Sequence, residues 1–274
     1  MTRQELIRHI FEKKNYLCVG LDTDISKIPG HLQQHPNAIF EFNKAIIDAT
    51  KDYCIGYKIN TAFYEALGTK GWQAMEETKA YIASTHFTIA DAKRGDIGNT
   101  SSQYAKAFFE TLDFDAITVA PYMGEDSVRP FLEYENKFTI VLGLTSNKGA
   151  NDFELQPCGD ELLYEKVIKT ISSWGNTDNL MFVVGATQAK QLEHIRNFIP
   201  DNFLLIPGVG FQGGSLEEVS KYGMNKDCGL LVNVSRGIIY ASDKENFAEE
   251  ASVIAQQYAV EMKTFLLKRE KGEL

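Results

Sequence analysis

The chain has 274 residues, 44% of them hydrophobic and 24% charged, and a formal net charge of −9. This composition excludes disorder as the main state, and the length suits one large α/β barrel or two ordinary domains. The acidity argues against nonspecific nucleic-acid binding, which needs a basic face, but leaves room for a small anionic substrate held by a few local cations and backbone N–H groups.

In chain order, residues 1–15 read as an amphipathic helix with Leu6, Ile7, Ile10 and Phe11 on one face, expected to close the floor of the fold. Eight short apolar runs follow: YLCVGLD (16–22), CIGYKI (54–59), FTIADA (87–92), AITVA (116–120), TIVLGL (139–144), LMFVVG (180–185), FLLIPG (203–208) and LLVNVS (230–235). Helical stretches are predicted near 37–51, 61–83, 100–111, 125–134, 160–173, 188–197, 215–222 and 246–268. Eight β-then-α units with near-continuous apolar strands point to a closed parallel (β/α)8 TIM barrel. An open doubly wound sheet is the competing fold, and five or six strands normally satisfy it. No linker, low-complexity tract or repeat divides the chain, so 1–274 is read as a single barrel domain with an extra N-terminal helix.

The N-terminal segment has no apolar run suited to a signal peptide, and no stretch approaches the roughly 18 apolar residues of a membrane span. A cytoplasmic protein is expected. Of the four cysteines, Cys18 and Cys54 lie in apolar runs and read as buried thiols; none of the four forms a C-x-x-C pair. The five histidines avoid the predicted strand ends, and no zinc pattern or serine nucleophile elbow is present. Lysine and aspartate are left to carry any proton chemistry.

In a barrel of this kind the carboxyl ends of the strands form the active-site mouth. Polar residues collect there. Asp22 ends the first strand, the second carries Lys58, and IADAKRGDIGNT (89–100) places Asp91, Lys93 and Asp96 at the end of the third. Asp91 and Lys93 are two apart on an extended chain and share a face, and Asn99, Thr100 and Ser101 are expected to open the next helix. An isolated D-x-K-x-x-D is also the pattern of a capped loop with a surface ion pair. Here it ends an apolar strand beside a second lysine, where a lysine is costly unless a carboxylate accompanies it. An alternating Lys–Asp–Lys–Asp array then becomes possible. IPGVGFQGG (206–214) follows the seventh strand and Arg236 the eighth, where barrel enzymes often hold phosphate on backbone N–H groups. Gly208, Gly210 and Gly213 also match G-x-G-x-x-G, but after six earlier strands rather than at the first βα turn of a dinucleotide fold.

The segment ADAKRGDIGNT resembles the signature of the orotidine 5′-phosphate decarboxylase family. The resemblance extends in order through VGLD (19–22), YKINTAFYE (57–65), LTSNKG (144–149), VVGATQ (183–188), PGVGFQGG (207–214) and NVSRGI (233–238), and is nearest to its longer bacterial subfamily. Ile59-Asn60 departs from the Pro-Gln or Pro-Asn of many long-form members, which bears only on local strand geometry. The resemblance implies conversion of orotidine 5′-monophosphate (OMP) to UMP and CO2 without metal or cofactor. It implies that Lys93 protonates C6 of the pyrimidine, that Asp91 sits beside the substrate carboxylate, and that Lys58 and Asp96 complete the charged array. It further implies that Asp22 binds ribose hydroxyls, Ser146 the pyrimidine, and Gly210, Gln212, Gly213 and Arg236 the phosphate. Asp96 and Thr100 would act across the interface of an obligate homodimer, with no nucleic-acid or membrane partner. Two rivals remain at this point: a Mg2+-dependent sugar-phosphate decarboxylase or aldolase on the same barrel, and a catalytically silent nucleotide-binding barrel.

Overall fold

Strand residues here are buried from two sides, by the barrel interior and by the surrounding helices, which is why their sequences run apolar without alternation. In the computed structural model, which describes residues 1–210 and 213–274, every residue of Leu17–Gly20, Ala116–Val119, Leu180–Val184 and Leu230–Val234 is buried. In chain order the strands are β1 (Leu17–Gly20), β2 (Gly56–Asn60), β3 (Phe87–Arg94), β4 (Ala116–Val119), β5 (Phe138–Leu144), β6 (Pro157–Cys158), β7 (Glu161–Leu162), β8 (Leu180–Val184), β9 (Leu204–Pro207) and β10 (Leu230–Val234). Eight of them close a parallel barrel in the order β1-β10-β9-β8-β5-β4-β3-β2, and β6 and β7 form a separate antiparallel hairpin. The expected barrel is therefore the observed one.

The first helix, Arg3–Lys13, starts on a capping box in which Thr2 accepts from the Glu5 N–H and the Glu5 carboxylate accepts from the Thr2 N–H. Leu6 and Ile10 are fully buried, with Ile7 and Phe11 packed beside them. Arg3 bonds Asp227 Oδ2 at 2.8 Å and the Asp201 carbonyl at 2.9 Å. Those two residues precede β10 and β9, so the helix covers the amino end of the barrel, away from the strand ends that carry the polar cluster. At the other end of the sequence, helix Phe247–Glu270 packs on helix Ala38–Thr50, with Phe42 and Phe247 stacked at 5.1 Å between ring centroids.

Several boundaries differ from the sequence reading. The helix expected over 61–83 is broken into Thr61–Glu65 and Thr69–Tyr81, with Gly68 at φ +61° between them. The second piece folds tightly back on the first: a Cβ at Gly71 would lie 1.7 Å from the Tyr64 carbonyl oxygen. The β7 hairpin takes the first residues of the helix expected over 160–173, leaving Leu163–Ser172. Strand β3 runs two residues past its expected end, to Arg94. Cys18, Cys54 and Cys228 are buried free thiols, and Cys158 on the hairpin is half-buried.

Candidate active site at the carboxyl ends of the strands

Register brings the charges together. Gly20 pairs with Lys58 and Asn60 with Asp91, so the ends of β1, β2 and β3 stand side by side. Lys58 Nζ bonds Asp22 Oδ1 at 3.2 Å and Asp91 Oδ2 at 2.9 Å, and Lys93 Nζ bonds Asp91 Oδ1 at 2.5 Å. The row therefore reads Asp22–Lys58–Asp91–Lys93, with signs alternating. Lys58 is sealed, its side chain 3% exposed, whereas Lys93 is 49% exposed at the open end. Burial works against the Lys58 charge, but Asp22 and Asp91 outweigh it and hold the ammonium above the ordinary lysine range. Burial likewise disfavours the Asp91 carboxylate, and Lys58 and Lys93 more than reverse that, holding it well below the usual carboxylate range. Lys58 and Asp91 are therefore both charged at neutral pH.

The loop bearing Asp22 is fixed by two tyrosines. The Tyr64 hydroxyl donates to the Leu21 carbonyl at 2.9 Å and accepts from Asn43. The Tyr240 hydroxyl donates to the Asp22 carbonyl at 2.9 Å and accepts from the Asp24 N–H at 2.7 Å. On β4, the Thr118 hydroxyl donates to Asp91 Oδ1 at 3.0 Å and accepts from the Lys93 N–H at 2.9 Å.

These groups open on a cavity of about 460 Å³ lined by Asp22, Lys58, Asp91 and Lys93 on one side and by Ser146, Asn147, Gly208 and Arg236 on the other. Leu142, Val183 and Leu205 give it an apolar wall. The rim segment after β5 is anchored by Glu154, whose carboxylate accepts from both the N–H and the hydroxyl of Thr145, the residue before Ser146. The glycine loop after β9 bonds to itself, Gly213 N–H to Gly210 O at 2.8 Å and Gly214 N–H to Gly208 O at 3.1 Å. Gly208, Gly210 and Gly213 all have positive φ, a backbone region that favours glycine. Gly208 lines the cavity, whereas Gly210 and Gly213 are not among the described residues that do. Gln212 lies outside the described residues.

Asp96 and Thr100 are not brought to this cavity. Asp96 accepts from the Ile97 N–H at 2.8 Å, and Thr100 is exposed on helix Gly98–Lys106. The capping expected of Asn99, Thr100 and Ser101 is not what forms: the helix already includes them, and its cap position is Ile97, which has no side-chain acceptor. Around this segment Ile97 is 59% exposed, Tyr122 91% and Met123 46%. Sequence reading missed Thr118, Tyr240 and Glu154, and missed that Asp22 pairs with Lys58. Thr118, Tyr240 and Glu154 do not stand out by residue type; only the strand register and loop returns bring them in.

The family description "Orotidine 5'-phosphate decarboxylase / HUMPS family" matches residues 15–251. The orotidine 5′-phosphate decarboxylase of Christiangramia forsetii is 60% identical over 271 residues, 98% of this chain and 100% of its own. That of Bacteroides fragilis is 59% identical over 266 residues, 96% of this chain and 97% of its own. Among solved structures, the OMP decarboxylase of Leishmania donovani superposes with a TM-score of 0.80 at 35% identity, covering 95% of this chain and 99% of its own.

Proposed function

The chain belongs to the orotidine 5′-phosphate decarboxylase / HUMPS family, and from that premise we propose how its cavity carries out the reaction. The activity is decarboxylation of OMP to UMP and CO2. Breaking the C6–carboxylate bond leaves its electron pair on C6 as a vinyl carbanion, with no carbonyl positioned to delocalise it as an enolate. The site must therefore stabilise charge that appears only as CO2 departs, and a fixed ammonium does this before donating its proton to C6. Lys93 is that ammonium; it yields UMP and recovers a proton from solvent. The observation that carries the reading is the alternating row Asp22–Lys58–Asp91–Lys93, which sets the Lys93 Nζ against Asp91 at the open edge of the cavity.

Asp91 has two duties. It keeps Lys93 oriented and, with Lys58, holds a fixed field that needs no rearrangement during the reaction. It also stands beside the substrate carboxylate, where two like charges at ~4 Å cost about 4 kcal/mol at an effective dielectric near 20. That cost is relieved as CO2 leaves, and preorganised stabilisation of the carbanion is the larger contribution. Asp22 meets the ribose hydroxyls with the carboxylate edge that Lys58 leaves open. Ser146 contacts the pyrimidine ring. Arg236, Gln212 and the glycine loop containing Gly210 and Gly213 hold the phosphate, using remote binding energy to fix C6 against Lys93.

Asp96 and Thr100 serve the cavity of a second copy in a homodimer. Their position outside their own cavity supports this, as does the exposed apolar group Ile97, Tyr122 and Met123 beside them. The chain acts as one barrel unit over 1–274. We place it in the cytoplasm, in keeping with its free thiols; no helix among the described residues is long and apolar enough to cross a membrane.

The test is incubation with OMP in EDTA while the ultraviolet absorbance of the orotate ring is followed. Turnover continues in chelator, and Lys93→Ala abolishes it while UMP binding persists. Activity lost in EDTA and restored by Mg2+ would support the metal-dependent sugar-phosphate chemistry instead, and UMP binding without turnover of OMP would indicate a silent binding protein.

A further inference from the structure

Strand β3 does not run straight into the site. Ala90 pairs with Ile117 and Arg94 with Val119, so Asp91, Ala92 and Lys93 all lie opposite Thr118 alone. The extra residues form a bulge, and at its end Lys93 takes φ +47°, a left-handed conformation unfavourable for a residue with a side chain. Such a conformation persists only where its surroundings over-determine it.

Two groups do so. Arg94, the next residue, is anchored from behind: its Nη1 donates to the Ala92 carbonyl at 3.1 Å, its Nη2 pairs with Glu65, and its guanidinium lies over Tyr104 and Phe108. Thr118 fills the front of the bulge. It is fully buried, and its one hydroxyl makes two compatible bonds, donating to Asp91 Oδ1 and accepting from the Lys93 N–H. Asp91 Oδ1 is also the oxygen that receives the Lys93 ammonium. One side chain thus fixes both the backbone from which the lysine springs and the carboxylate oxygen on which it rests.

We infer that Thr118 is a positioning residue for proton delivery to C6. It touches neither substrate nor proton; it sets the bulge so that the Lys93 ammonium lies on the cavity side of Asp91. The inference rests on Lys93 being the proton donor. Valine has the shape of threonine without its hydroxyl, so Thr118→Val leaves a partly buried N–H unpaired and the carboxylate short of a bond.

The experiment measures kcat, KM, UMP affinity, melting temperature and exchange of the UMP C6 hydrogen for deuterium in D2O. Exchange reads the same lysine in reverse, as the neutral amine removing the C6 proton. Thr118→Val should lower kcat and the exchange rate by about 100-fold, the scale of a misplaced reacting group. KM and UMP affinity should stay within about threefold, because ground-state contacts are untouched. Thr118→Ser, which keeps the hydroxyl, should recover kcat to within about threefold of the native enzyme. Should the valine variant not fold, Thr118→Ala against Thr118→Ser makes the same comparison. Native kcat in the hydroxyl-free variant, or a fall in UMP affinity as large as that in kcat, overturns the inference. Lys93→Ala separates the two levels. If it turns over normally, the proton-donor reading itself fails; if it is inactive while Thr118→Val is unimpaired, only the role of Thr118 fails.

Discussion

Asp91 shares one carboxylate between two lysines, and this has a consequence for stability as a function of pH. Its folded-state pKa is lowered, so it contributes stability that is fully present above its unfolded value of about 4 and is lost as the pH falls toward the folded value. Lys58 has the opposite sign: its pKa is raised, so its contribution is complete below about 10.5 and fades only as the pH rises through the folded value. The row is thus stabilising across the neutral range and is eroded first by acid. Urea unfolding between pH 3 and 8 should show the native protein losing stability more steeply on the acid side than Asp91→Asn; equal slopes would contradict the assignment. At pH 7, Asp91→Ala should cost about 3–5 kcal/mol, as expected when one partner of a buried pair is removed. Among single residues, Lys58, Asp91 and Lys93 were legible because charge at the end of an apolar strand is anomalous. Thr118 was not: a threonine inside AITV is ordinary strand composition, and only the bulge opposite it gives it work.

At the scale of elements, the glycine loop after β9 and the first helix invite opposite experiments. A Cβ on Gly214 would lie 2.3 Å from the Ala186 Cβ and 2.8 Å from the Gly208 carbonyl oxygen. Gly214→Ala should therefore displace the loop and raise KM for OMP by roughly tenfold, with a smaller effect on kcat, since the phosphate grip proposed for this loop is remote from C6. Steady-state kinetics at saturating and limiting OMP would separate the two. Thr2→Ala removes one half of the capping box and should cost about 1 kcal/mol in urea unfolding, while kcat/KM stays unchanged because that helix covers the opposite end of the barrel. Elements were the most readable level, since strands sealed on both faces announce themselves as uninterrupted apolar runs. Their limits were less so. The break at Gly68 and the two-residue strands β6 and β7 are set by how the chain folds back on itself, and hydrophobic periodicity carries no record of that.

Over the whole molecule, the closed barrel places the carboxyl ends of its eight strands on one face, but neither Asp96 nor Thr100 lines its own cavity. If two copies complete each other, chains carrying Lys93→Ala and chains carrying Asp96→Ala are each inactive alone. Mixed in equal amounts and allowed to exchange subunits, they should regain about a quarter of the native sites, because half the dimers are hybrid and each hybrid holds one intact site. No recovery despite demonstrated exchange would place Asp96 outside the partner's chemistry. The barrel was foreseeable from its eight repeats of strand and helix; the pairing of copies was suggested only by family likeness, since a lone chain's sequence does not say which exposed apolar side chains meet a twin.

Of the four thiols, Cys18, Cys54 and Cys228 are sealed in the interior, where burial pushes Cys54 up to about 11 and Cys228 to about 12 and keeps them unreactive. Cys158 alone is reachable, and its hairpin lies on the segment that returns through the Tyr164 N–H bond to the Glu154 carbonyl. A maleimide dye should accordingly attach once per native chain, without mutagenesis, a few residues from Glu154, which anchors the rim segment bearing Ser146. Its fluorescence then offers a direct optical record of that rim as nucleotide arrives and leaves.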